Sequence, residues 1–113
     1  MVHRIRTLEE LDTVFAASGE RPTLLLKHST RCPISAAAHD AFQAVARTHP
    51  DRARYAVVYV VEDRPISNAV AERTQVKHES PQALLVKDSA VRWHASHWDI
   101  TVDALERALA QFA

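Results

Sequence analysis

Cys32 is the chain's one cysteine. It stands in Cys32-Pro33-Ile34-Ser35, directly after the short apolar run Thr23-Leu24-Leu25-Leu26-Lys27-His28. A thiol there sits where a helix begins, because Pro33 suits the first helical turn and the alanine-rich stretch after it favours a helix. Unpaired backbone amides and the positive end of the helix dipole favour a thiolate, the nucleophilic form of sulfur. In a Cys-x-x-Cys arrangement the second thiol would resolve a mixed disulfide from within the chain. Here that position is Ser35, whose hydroxyl hydrogen-bonds but forms no disulfide. One cysteine also excludes an internal disulfide and a multi-cysteine zinc site. His28 and Cys32, four apart, would leave a four-coordinate metal half ligated. Any thiol chemistry therefore runs through an outside partner, with Cys32, Pro33 and Ser35 as the candidate catalytic residues.

The elements that must position Cys32 are legible along the chain. Thr7-Leu8-Glu9-Glu10 is a capping box that opens a helix over about Leu8 to Ala17, with Leu8, Leu11, Val14 and Phe15 at helical spacing. Ser18-Gly19-Glu20-Arg21-Pro22 stops it. The run at 23–28 reads as a strand buried on both faces, followed by a helix from Pro33 to about Arg47. Ala53 to Val61 reads as a second core strand, and Pro65 opens a helix through Ile66, Ala69, Val70 and Arg73. After Ser80-Pro81, the runs 83–87 and 90–94 flank Asp88-Ser89 as a hairpin. A last helix, capped by Thr101 or Asp99, runs to about Phe112. The pattern predicts an α/β fold, a central mixed sheet with helices on both faces, and leaves several topologies open.

Composition bounds the function classes. At 113 residues the chain suits one domain, 1–113, and 47% hydrophobic with 25% charged residues is ordinary globular composition. Fourteen basic against fourteen acidic residues give no global attraction to nucleic acid or to an anionic membrane. The apolar run 56–61 falls far short of the roughly 20 residues of a membrane helix, and no signal-peptide core follows the N-terminus, so the expected location is cytoplasmic.

Four segments together resemble one family. Leu26-Lys27-His28-Ser29-Thr30-Arg31-Cys32-Pro33-Ile34-Ser35, Val61-Glu62-Asp63-Arg64-Pro65-Ile66-Ser67-Asn68, Val76-Lys77-His78-Glu79-Ser80-Pro81-Gln82 and Trp93-His94-Ala95-Ser96-His97-Trp98-Asp99-Ile100-Thr101 look like the monothiol bacilliredoxins, also called YtxJ-like proteins. The resemblance spans nearly the whole chain. It implies a thioredoxin-like fold and removal of bacillithiol from protein mixed disulfides, with Cys32 becoming bacillithiolated. It implies no tightly bound cofactor, bacillithiol or another low-molecular-weight thiol as co-substrate, and S-thiolated client proteins as partners. Arg31 stands where the family pattern favours a smaller or neutral residue, and it makes the groove more cationic.

The resemblance also implies a substrate groove. In a thioredoxin-like topology Ser80-Pro81 is either an ordinary trans proline at a strand entrance or a cis proline facing Cys32, with Ser80 offering its backbone to substrate. Lys27, Arg31 and Arg64 are either partners for the malate carboxylates of bacillithiol or solvated surface charges. Trp93 is expected in the core; His97, Trp98 and Asp99 are candidates to line the thiol pocket, Asp99 as a helix cap or as a partner of the ligand's sugar amine. His28, His78, His94 and His97 either gather near the thiol or scatter over the surface. Two further readings stay open: a non-catalytic binding or redox-sensing module, and a glutaredoxin-like iron–sulfur carrier.

Overall fold

The computed structural model describes residues 2–112; Met1 and Ala113, the ends of the expected single unit, lie outside the described residues. Strands β1 (Val2–Arg4), β2 (Thr23–His28), β3 (Arg54–Tyr59), β4 (Gln82–Lys87) and β5 (Ala90–Ser96) alternate with helices α1 (Leu8–Ala17), α2 (Pro33–Thr48), α3 (Arg64–Thr74) and α4 (Val102–Phe112). They form one sheet in the order β1-β3-β2-β4-β5, with β1, β3 and β2 parallel and β4 and β5 antiparallel. β2 is buried at every position because it lies mid-sheet with helices over both faces.

Alternation along β2 divides the core. Leu24 and Leu26 join Phe42 and Val45 of α2 and Leu105 and Leu109 of α4, whereas Leu25 joins Leu11 and Phe15 of α1 and Ile66 and Val70 of α3. The expected helices and the hairpin all form. β3 is shorter than the expected 53–61 because the chain turns after Tyr59: the Val60 amide donates to the His28 carbonyl and that of Asp63 to the Tyr59 carbonyl. Asp88 and Ser89 both take left-handed φ values, 53° and 62°, as a two-residue hairpin turn requires.

Two elements add to the expected ones. β1, three residues long and without a strand signal in its sequence, pairs parallel with β3 from Val2 against Tyr55. A 3-10 turn, His97–Asp99, precedes α4, and of the two expected caps Thr101 is the one that forms, its Oγ1 accepting from the Ala104 amide at 3.1 Å. The capping box of α1 forms by half. Thr7 Oγ1 accepts from the Glu10 amide at 3.1 Å, while the Glu10 carboxylate meets the Thr7 hydroxyl and His3 instead of a backbone amide. At the N-terminal end of β2, Ser18 ties α1 to the hairpin turn: its Oγ donates to the Phe15 carbonyl and accepts from the Ser89 amide, and its carbonyl accepts from the Asp88 amide.

Candidate functional site

The C-terminal end of β2, the start of β4 and the end of β5 lie at one edge of the sheet. Gln82 pairs with Lys27 on one side and with Ser96 on the other. The loop 29–31 leads from that edge to Cys32, which is the N-cap of α2, half-buried, in extended backbone, with no capping hydrogen bond from its own side chain. Its amide donates to the Ser29 carbonyl at 3.5 Å and its carbonyl accepts the Ala36 amide at 3.0 Å, the first turn of the helix. Pro33 occupies that turn, where its missing N–H is no loss. The sulfur is thus free of the helix and open to a partner.

Ser35 is fully buried and its hydroxyl is already engaged. Its Oγ accepts from the Ser29 amide at 2.9 Å and lies 2.7 Å from Nδ1 of His28. Through these contacts Ser35, a candidate catalytic residue, ties the loop before Cys32 to β2. His28 stacks on His39 with ring centroids 4.3 Å apart and meets Tyr59 edge-on at 5.7 Å. Burial, then the neighbouring His39, lowers its pKa against the opposing pull of a hydrogen bond to the Ser35 backbone and of Glu62. Burial thus disfavours the charged ring, whose Nδ1 shares a hydrogen bond with the Ser35 hydroxyl.

Lys27 is neither a groove cation nor a solvated charge. It has no exposed surface, because position 27 of a central strand points into the layer shared with α3. Its Nζ lies 3.1 Å from Nδ1 of His78, itself 3.3 Å from Oγ of Ser67 on α3. Burial brings the Lys27 amine down to about 8. His78 is lowered by its own burial, then by Lys27 and Arg64, against Glu79. His28 and His78 lie on opposite faces of the sheet, and His94 and His97 are exposed.

The Ser80-Pro81 bond is cis. Pro81 is buried, its carbonyl accepts from the His97 amide at 3.0 Å, and Ser80 Oγ is buried without a hydrogen-bond partner. That bond joins the residue before β4 to the 3-10 turn, which packs against α2. His97, at a left-handed φ of 53°, lies 3.7 Å from Glu79. A hydrogen bond from Ser96, helped by the charges of His97, Lys77 and His94, holds the Glu79 carboxyl below its usual range against an opposing desolvation. Trp98 is 66% exposed, Asp99 and Arg31 are exposed, and Trp93 is half-buried against the α2–α4 core, as expected.

Sequence reasoning missed His39, Ser67 and Glu79. His39 carried a signal, since it follows Ser35 by four on α2 and so shares its face. Ser67 and Glu79 come to the site only through tertiary packing. Among the described residues no three His, Cys, Asp or Glu side chains are grouped to hold a metal ion, and no helix is long and apolar enough to cross a membrane.

A family model described as monothiol bacilliredoxin BrxC matches residues 3–105. Among solved structures, a thioredoxin-fold protein described as an oxidoreductase is similar at a TM-score of 0.85 and 31% identity, over 95% of this chain and 92% of its own. Thioredoxins of Malassezia sympodialis (TM-score 0.80, 17% identity, 98% and 90% of the two chains) and Fasciola hepatica (0.80, 14%, 98% and 99%) share the fold. Family and fold together point to a thiol redox role.

Proposed function

Since the chain belongs to the monothiol bacilliredoxin family, we propose that it removes bacillithiol from mixed disulfides on cytoplasmic client proteins. The observation that carries this reading is the half-buried lone thiol of Cys32 at the start of α2, with the fourth motif position a hydroxyl already bound to His28 and Ser29. The Cys32 thiolate attacks the bacillithiol sulfur of the mixed disulfide. That S–S bond breaks, the client leaves as a thiolate that takes a proton, and Cys32 is left joined to bacillithiol. With no second thiol in the chain, a low-molecular-weight thiol or another redoxin attacks the bacillithiol sulfur and releases Cys32. Two electrons pass from that thiol to the client, and no bound cofactor is needed.

The exposed cations Arg31 and Arg64 are suited to the malate carboxylates of bacillithiol, and Asp99 to its sugar amine. Trp98 offers an apolar wall, and the Ser80 backbone a pairing edge for an extended client. The deciding experiment mixes a bacillithiolated protein with wild type and with Cys32→Ser and follows intact mass. One bacillithiol mass is expected on wild type alone. No transfer to wild type overturns the reading, whether or not Cys32 reacts with an alkylating agent.

A further inference from the structure

Lys27 is a fully buried amine with no carboxylate partner among the described residues, and the exchange chemistry above does not use it. Lysine is almost never fully buried unless paired, so its one close partner has to account for its position. That partner is His78, an exposed residue on the irregular segment between α3 and β4. The segment is held at three successive residues. The Lys77 carbonyl accepts from Nε2 of Gln82, His78 meets Lys27 and Ser67, and Glu79 reaches toward Ser96 and His97. Ser80 and Pro81 follow at once.

We propose that Lys27 and His78 form a latch that pins the groove wall carried by residues 75–81, and so govern how well Cys32 receives a client without changing the thiol itself. The inference rests on the exchange reading and makes His78 a positioning residue. The latch requires the Nδ1 lone pair of His78 to accept from the Lys27 ammonium. An imidazolium has no such lone pair and faces a second cation. The charged groups around His78 are Lys27 from β2, Arg64 from α3 and Glu79 on its own segment, with the Ser67 hydroxyl beside it. Two cations against one carboxylate disfavour the charged ring, so the latch holds at neutral pH and opens in acid, below the usual imidazole range.

The test uses the full-length protein and two rates at Cys32: exchange with a bacillithiolated protein and alkylation by iodoacetamide. Their ratio cancels the protonation of the thiol. His78→Leu, at an exposed site, is expected to lower the ratio about fivefold, the loss of one net hydrogen bond, with alkylation unchanged. His78→Asn places an amide oxygen where Nδ1 was and does not titrate; it should restore the ratio and abolish its fall in acid. Backbone amide exchange of residues 78–82 reads the latch without any redox chemistry. Protection should drop in His78→Leu and return in His78→Asn. A ratio unmoved by His78→Leu, or an acid fall that persists in His78→Asn, overturns the inference. A wild type that alkylates but does not exchange overturns the proposed function, and amide protection then decides the latch alone.

Discussion

Lys27 and His28 are neighbours on β2, equally hidden from solvent, and point into opposite layers of the molecule. His28 meets a hydroxyl and an aromatic stack, and its burial is satisfied by neutral partners. Lys27 brings a charge into the other layer and finds an imidazole where a carboxylate would have been the stabilising choice. The first arrangement fixes the loop before Cys32; the second fixes the segment before cis Pro81. The loop before Cys32 is held by a hydroxyl and an aromatic stack, and the segment before cis Pro81 by an amine and an imidazole.

The largest expected effect breaks the satisfied side. Ser35→Ala leaves the Ser29 amide and the His28 ring without their partner and is expected to cost about 2–3 kcal/mol, measured by urea unfolding. A cost under half of that would mean the His28 layer is no better satisfied than the Lys27 layer. Next, Lys27→Met should stabilise the protein by about 1–2 kcal/mol at pH 7, since a buried charge without a counter-ion is replaced by an apolar chain of similar length. The folded amine lies below its ordinary value, so folding is disfavoured while the unfolded chain keeps the proton. The gain should therefore shrink as pH rises from about 8 towards 10.5. A smaller effect concerns both sides. His28 and His78 are each lowered, so wild-type stability is full above the ordinary imidazole range and is lost as pH falls through it, and His78→Asn should flatten part of that loss. Smallest is Trp98→Ala, outside both layers: stability should stay within about 0.5 kcal/mol while exchange with clients slows and alkylation of Cys32 does not.

What could be read without the structure follows from where each signal lives. The four helices, the central strand and the hairpin were legible because caps, prolines and apolar spacing are local, as at Thr7, Pro33 and Asp88-Ser89. β1 was not, since three edge residues with His3 and Arg4 among them carry no periodic signal and owe their state to pairing with β3. The motif pointed to Cys32 and to the Ser80-Pro81 segment. It could not reveal that Ser35 faces inward to His28, or what the Lys27 amine meets, because both depend on segments distant in sequence. Only the loop 75–80 folding back over β2 and α3 brings His78 to that amine. Asp99 lost its capping role for a similar reason: the 3-10 turn shifts the start of α4 to Thr101.

The tie made by Ser18 has a consequence for how the molecule comes apart. Helix α1 and the β4–β5 turn are stitched together at the pole away from Cys32, by Ser18 Oγ to the Phe15 carbonyl at 2.6 Å and the Ser89 amide to Ser18 Oγ at 2.8 Å. The thiol pole has irregular segments on both sides of β2 instead. Partial opening is thus expected to start among the redox loops and to reach the Ser18 pole last, so a protease would make its first cut near Cys32, and the chain's working lifetime would be set by the same backbone that does its chemistry.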